Sequence, residues 1–237
     1  MTSAARAAPT LSIVIPVLDE ARGIEGCLRA LAPSRRDGCE VLVADGGSSD
    51  DTVVLARPLC DGVIAAPRGR AVQMNAGAAQ ASGDFLLFLH ADTRLPPEGV
   101  RSVRDGLSGG RAQWGRFDVR IEGASRWFPL IAALMNLRSR VTGIATGDQA
   151  IFCTRSAFGA VGGFPELPLM EDIDFSRRLL RFGRPLCIRE PVQTSGRRWE
   201  RHGVWATIVL MWRLRLAHFC GASPAALARR YERGGPG

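Results

Sequence analysis

The sequence predicts an α/β fold in which a single mixed, mainly parallel sheet is flanked by helices. Two observations carry that prediction. Short, nearly continuous apolar runs rich in Val, Ile, Leu and Phe recur at 11–17, 40–44, 62–66 and 85–89, the pattern of strands covered on both faces. Between them lie stretches of helical length and pattern, and strands alternating with helices build parallel sheets.

The elements follow in order. LSIVIPV (11–17) is a β-rich strand, and EARGIEGCLRALA (20–32) places Ile24, Leu28 and Leu31 on one helical face. EVLVA (40–44) is a second strand ending in the loop DGGSSDD; a helical turn starts at Thr52, and GVIAA (62–66) is a third strand. RAVQMNAGAAQA (70–81) reads as helix and FLLFL (85–89) as the fourth strand, with a further helix starting at Pro96 or Pro97. Beyond about residue 110 the rhythm becomes irregular. RFDVRI (116–121) and AIFCT (150–154) are strand candidates; WFPLIAALMNLRSR (127–140), IDFSRRLLRFG (173–183) and VWATIVLMWRLRLAHF (204–219) are helical. Residues 10–237 read as one domain, with a basic, apolar helical segment at about 202–231, and residues 1–9 as a disordered leader.

Composition narrows the chemistry. All 31 basic residues are arginine, which removes phosphate-binding and Schiff-base lysines as mechanisms. From Arg177 onward 13 arginines face only Glu190, Glu200 and Glu232, a net charge of +10, whereas the first 176 residues carry −2. Such a segment suits an anionic partner: a diphosphate or an acidic membrane surface. Its aromatics lie within an aliphatic pattern, which fits a membrane interface rather than base stacking, so no nucleic-acid partner is expected. No apolar run approaches the roughly 18 residues that span a bilayer, and a cytoplasmic protein, with peripheral contact at the inner membrane face, is expected. The six cysteines lack C-x-x-C spacing and read as small buried apolar residues.

In parallel-strand geometry Pro16, Val17, Asp19 and Glu20, then Asp45 and Gly46, then His90, Ala91 and Asp92, all fall at strand C-termini, where α/β folds bind ligands. Helix capping is the plainer reading of Asp19 and Asp50, and a turn that of Asp45. No G-x-G-x-x-G follows the first strand and no G-x-S-x-G is present, so dinucleotide-binding and serine-hydrolase readings fall away.

Taken together, LSIVIPVLDE, VLVADGGSSDDT, GRAVQMNAGAAQASGDFLLFLHAD and VGGFPELPLMEDIDFSRRLLRFG resemble, in order, the characteristic segments of family-2 glycosyltransferases of GT-A fold. TGDQAIF, PLMEDI and SGRRWERHG are similar to a compact subgroup associated with radical-SAM/selenodomain proteins or arsenosugar biosynthesis.

The resemblance implies an inverting, metal-dependent transfer of sugar from a nucleotide-diphospho-sugar, a UDP-sugar by preference. Asp45 matches the nucleotide-binding carboxylate, with Pro16, Val17, Asp19, Glu20 and Ala91 bordering the pocket. Gly46 departs from the second Asp of the usual pair. Arg68, Arg70 and Asn75 would reach the nucleoside and diphosphate, although a solvated helix face explains them equally. Asp92 matches the last Asp of D-x-D, which holds Mn²⁺ or Mg²⁺ on the diphosphate. His90 replaces the first Asp and is a candidate ligand, as is His202. Asp172 matches the catalytic base, placed at a helix start whose dipole favours the carboxylate. Glu171 would shape the acceptor site above the Gly162-Gly163-Phe164 loop. Arg197 and Arg198 would contact phosphate. The acceptor is either a small molecule or a lipid such as a polyprenyl-phosphate; a catalytically silent membrane-binding relative is the other reading.

Overall fold

The computed structural model describes residues 10–233, the side chains of Arg198, His202, Ala225, Glu232 and Arg233 excepted. The expected leader over 1–9 therefore lies outside the described residues, as do the side chains of Arg198 and His202. The chain runs β1 (Leu11–Val17), α1 (Ile24–Ala30), α2 (Ala32–Arg36), β2 (Glu40–Asp45), α3 (Thr52–Ala56), β3 (Gly62–Ala65), α4 (Arg70–Gln80) and β4 (Phe85–Phe88). It continues through β5 (Thr93–Arg94), α5 (Gly99–Ser108), β6 (Trp114–Glu122), α6 (Phe128–Thr142), β7 (Phe152–Thr154) and α7 (Arg155–Ala160). Then follow α8 (Glu171–Leu179), β8 (Leu186–Ser195), α9 (Arg197–His202), α10 (Val204–Phe219) and α11 (Pro224–Arg233).

The strands form one sheet in the order β3-β2-β1-β4-β7-β6-β8-β5. The first four are mutually parallel, β7 is antiparallel to both of its neighbours, β8 runs parallel to β6, and β5 antiparallel to β8. Only residues 89–92 separate β4, in the middle of that order, from β5 at its far edge. Four strand spacings of a flat sheet amount to about 19 Å, and five steps of fully extended chain reach about 17 Å. The linker is also bent, since Thr93 N–H donates to His90 C=O at 3.0 Å. The sheet therefore curls.

Both faces are buried, as the continuous apolar strands require. Ile13, Ile15 and Val17 of β1 face a core that includes Ile24, Leu28, Val103 and Phe117. Val14 faces the opposite core with Met74, Phe88 and Phe175. A third cluster joins α6 to β6, α9 and α10 through Phe128, Ile131 and Trp199, and a fourth joins Leu169 and Met170 to Leu214 and Leu227.

β1 and the helix at 204–219 match their expected bounds. The expected helix at 20–32 is instead two pieces broken at Leu31, with Pro33 in the first turn of the second. Four cysteines are buried as expected; Cys187 is half-buried and Cys220 exposed. β8 was not anticipated: its middle, Arg189-Glu190-Pro191, is exposed, and its register with β6 shifts between Phe117 and Asp118. Exposed charges and a proline hide a strand from apolar periodicity.

Candidate active site

Two loops at the C-terminal ends of β1 and β2 are tied together by backbone N–H groups that donate across the gap. Asp19 N–H donates to Ser48 Oγ at 2.9 Å, Ser49 N–H to Asp19 Oδ1 at 2.7 Å, Glu20 N–H to Thr52 Oγ1 at 2.7 Å and Ala21 N–H to Asp50 Oδ2 at 3.0 Å. Asp19 takes a left-handed backbone, φ 53°, to make this crossing. Neither Asp19 nor Asp50 is a helix N-cap: Gly23 precedes α1 and Asp51 precedes α3. Both instead hold the paired loops.

Asp45 is buried, and its carboxylate accepts from Gly47 N–H at 3.0 Å, Ser48 N–H at 3.2 Å and Ser48 Oγ at 2.5 Å. A carboxylate has about four acceptor positions, so this one shapes its own turn. Beside it, Gly46 is small for a reason. A Cβ there would lie 2.9 Å from Cδ of Gln73, whose Nε2 donates to Val17 C=O at 2.6 Å and Ala44 C=O at 2.8 Å. The Gln73 amide, on α4, thus fills the place that a longer residue at 46 would occupy.

Glu20 and Asp92 are the rim carboxylates that the loops leave open. Burial pushes the Glu20 carboxyl above its usual range, with the Asp92 charge adding and Arg197 opposing. Asp92 is exposed, its Oδ1 meeting Thr93 Oγ1 at 3.3 Å, while its backbone C=O accepts from Ser195 N–H at 3.2 Å. That contact brings the end of β8, and so Arg197, beside the rim. Two open carboxylates suit a hard cation that draws its other ligands from phosphate and water. Among the described residues no three His, Cys, Asp or Glu groups form a complete protein cage. His90 meets Asp148, its Nδ1 lying 3.5 Å from Asp148 Oδ1, and its ring packs on Gly147; it also lies near enough to Glu20 to oppose the rise of that carboxyl.

Asp172 lies across this crevice, in the first turn of α8. Its Oδ2 accepts from Gly147 N–H at 2.8 Å and its Oδ1 from its neighbour Ile173 N–H at 2.8 Å. The preceding Met170 adopts φ 69°, a left-handed conformation unusual for a side chain of this size and found where surroundings impose it. Met170 packs with Leu169, Leu214 and Leu227, while Phe175 of α8 joins an aromatic cluster in which Phe164 stacks on it at 3.9 Å and meets Phe88 edge-on at 4.8 Å. Glu171 is buried with Oε1 3.5 Å from Arg70 Nη1. Burial and the adjoining Asp172 charge push its carboxyl above the usual range, against the pull of Arg70. Burial also acts to raise Asp148, but His90, Arg70 and Arg215 outweigh it and hold that carboxyl below its usual value.

The sequence expectations divide accordingly. Pro16, Val17, Asp19, Glu20, Asp45, Gly46, Ala91, Asp92 and Arg197 come together at the strand-end rim, and Arg70, His90, Glu171 and Asp172 line one crevice. Arg68 is exposed just before α4. Asn75 is engaged by the backbone of Phe164: its Nδ2 donates to Phe164 C=O and its Oδ1 accepts from Phe164 N–H, both at 2.9 Å. It fastens the Gly162-Gly163-Phe164 loop to α4. Sequence reasoning missed Gln73, Gly147 and Asp148, although TGDQAIF held the last two in plain view.

Residues 12–160 match the family model described as glycosyl transferase family 2. An uncharacterized glycosyltransferase of Mycobacterium tuberculosis, Rv1514c, is 30% identical over 194 residues, covering 77% of this chain and 73% of its own. Among solved structures, glucosyl-3-phosphoglycerate synthase from M. tuberculosis with Mn²⁺, UDP and glucosyl-3-phosphoglycerate gives a TM-score of 0.65 at 22% identity, over 91% of this chain and 81% of that one. S. aureus TarS 1–349 gives 0.64 at 18% identity over 85% of this chain, which spans 65% of the TarS chain. At these identities the structures establish a shared GT-A fold. The family match and the M. tuberculosis relative establish more: the chain belongs to glycosyl transferase family 2.

Proposed function

We propose that the protein is an inverting glycosyltransferase that moves sugar from a UDP-sugar to an acceptor hydroxyl, with Asp172 as general base. The observation that carries this reading is the setting of Asp172, which Gly147 N–H and its own helix turn aim into a crevice facing the strand-end rim. An Asp172 carboxylate oxygen takes the proton of the acceptor hydroxyl as the hydroxyl oxygen attacks the anomeric carbon, and the bond from that carbon to the diphosphate breaks on the opposite face. Asp45, Gly46, Gln73 and Val17 shape the nucleotide end, and Arg197 supplies positive charge toward the diphosphate. Glu20 and Asp92 would hold a divalent cation, Mn²⁺ or Mg²⁺, which when bound neutralises charge on the departing UDP. Support comes from the neighbours: glucosyl-3-phosphoglycerate synthase structures contain Mn²⁺ with UDP or UDP-glucose, and TarS binds UDP-GlcNAc. Within the family, TGDQAIF, PLMEDI and SGRRWERHG support membership of the compact radical-SAM/selenodomain-associated, arsenosugar-type subgroup. The test is calorimetry of UDP with Mn²⁺, followed by turnover of a UDP-sugar panel. Asp92→Ala should lose Mn²⁺-dependent UDP binding, whereas Asp172→Asn should keep it and lose turnover by about 10²- to 10⁴-fold. Absence of both metal and nucleotide binding in the unaltered protein would sink the reading.

A second reading, that the enzyme works at a membrane, is favoured by two exposed apolar stripes. Leu130, Leu134, Leu137 and Val141 follow one face of α6; Trp205, Val209, Trp212, Leu216 and Phe219 follow one face of α10. The helices adjoin where the Trp127 and Trp205 rings meet at 5.2 Å. No described helix is long and apolar enough to cross a membrane, so the stripes suit an interface, and the net charge of +10 from Arg177 onward selects anionic lipid. Flotation with phosphatidylglycerol vesicles tests it; failure to float at low salt removes this reading.

A further inference from the structure

Two arginines near Asp172 make no direct ion pair among the described residues. Arg138 comes from α6 and Arg215 from α10. Nε and Nη2 of Arg138 and Nε of Arg215 are buried without a hydrogen-bond partner among the described residues. No ion pair among those residues includes either side chain. Burial pulls Arg138 down to about 10, with the neighbouring charge of Arg215 adding and Asp172 opposing. Burial likewise lowers Arg215, against Asp172 and Asp148. Buried cations normally carry a partner, because an unpaired one is costly to desolvate.

Neither helix needs these arginines to stay in place. Asn136 fixes α6 to β6 by two hydrogen bonds to the Val119 backbone, at 2.9 and 3.0 Å, and Arg140 pairs with Asp118. On α10, Leu214 packs on Leu169, Met170 and Leu227, and His218 Nε2 lies 3.2 Å from Asp174 Oδ1. The two guanidiniums feel Asp172, not Glu20 or Asp92 of the strand-end rim, where Arg197 lies. They therefore adjoin the Asp172 end of the site rather than the strand-end rim, without lining the small crevice itself.

We propose that Arg138 and Arg215 form the seat of an anionic group on the acceptor, a phosphate or carboxylate, which holds the acceptor hydroxyl at Asp172. Guanidinium forks match such oxygens in pairs. The bound anion supplies the partner that the buried N–H groups lack. The assignment rests on the reading of Asp172 as the base, and its test separates the two.

The full chain, first saturated with UDP and Mn²⁺, is titrated with methyl phosphate in solution. A second arm uses phosphatidylcholine vesicles containing phosphatidic acid. The readouts are calorimetry and thermal unfolding. Either probe should raise Tm of the unaltered protein, and the arm that does so identifies a soluble or a lipid-borne anion. Arg138→Gln and Arg215→Gln should each weaken anion binding about 10- to 100-fold and keep the affinity for UDP with Mn²⁺. Arg138→Lys should retain part of the anion affinity. Without anion, Arg138→Gln should unfold no earlier than the parent, since it removes an unmatched charge; earlier unfolding would mark a structural strut and overturn the proposal. Equal anion binding by parent and Gln variants would also overturn it, as would no anion binding by a protein that still binds UDP with Mn²⁺. In both cases the transferase reading survives. A parent protein that binds neither UDP nor Mn²⁺ removes that reading, and the seat with it.

Discussion

Gly147→Ala tests whether the two halves of the site are mechanically joined. A Cβ at position 147 would stand 2.5 Å from both Cε1 and Nε2 of His90. Ordinary contact begins near 3.4 Å, so ring and backbone must separate by roughly 0.9 Å. Gly147 φ is not in the left-handed region, so alanine meets only this steric obstacle. Overpacking of that kind costs about 1–3 kcal/mol, which lowers Tm by about 3–9 °C in a chain of this size. Movement of Gly147 also withdraws the N–H that holds Asp172 Oδ2 at 2.8 Å. A misplacement near 1 Å reduces turnover by about 10²-fold. Differential scanning calorimetry and single-turnover assays with the UDP-sugar identified by panel screening measure the two effects. The decisive experiment is the double mutant. With His90→Ala the obstacle is gone, so adding Gly147→Ala should cost little, giving a coupling energy of about 1 kcal/mol or more. Additive losses, or a Gly147→Ala enzyme as stable and active as its parent, would refute the reasoning.

Other expectations follow from the same geometry. Glu171 has a carboxyl raised above its usual value by burial and Asp172, so its contribution to stability is full at pH values below its unfolded-state value of 4.5 and is lost as pH rises through the folded-state value. Glu171→Gln should therefore raise Tm relative to the parent more at pH 8 than at pH 4; a pH-independent difference would contradict the assignment. Asn75→Ala should remove both bonds to Phe164, lower stability by about 1–3 kcal/mol and leave UDP affinity unchanged, because Asn75 holds the acceptor-side loop; weakened UDP binding in a folded variant would restore it to the donor side. Gly46→Asp should disturb Gln73, which a Cβ would meet at 2.9 Å, and weaken UDP binding; unchanged affinity would show that the Gln73 amide has room to move.

The sequence reveals β1 and β4 as continuous apolar runs buried on both faces, α4 by the periodic face that it buries, and α10 by an apolar run that stays largely exposed. It hides β8, whose exposed Arg189 and Glu190 sit where the pairing with β6 slips by register. The placement of acids at strand ends was equally legible, since topology puts Asp45 and Asp92 on one rim. What each acid does there was not. Asp45 is occupied by Ser48, three residues on, while Glu20 stays open, and only the crossed loops decide which is which. His90 is the clearest case. Its direction is set by Asp148 and by the absence of a side chain at Gly147, contacts that no local pattern around HADT contains. Arg138 and Arg215 look in sequence like interruptions of two apolar helices; their shared setting appears only when α6 and α10 pack.

The four residues that carry the chain from β4 in mid-sheet to β5 at its edge form a short, turned link of fixed length. Leu89 and Ala91 are buried and His90 meets Asp148, so side chains and spacing are fixed together along this link. One residue fewer would break the Thr93–His90 turn and pull the edge of the sheet inward, and one more would carry Asp92 away from Glu20. A deletion scan across 89–92 should therefore damage folding more than any single substitution there. In this molecule the position of Asp92 beside Glu20 is a property of sheet curvature, set by how short a link joins β4 to β5.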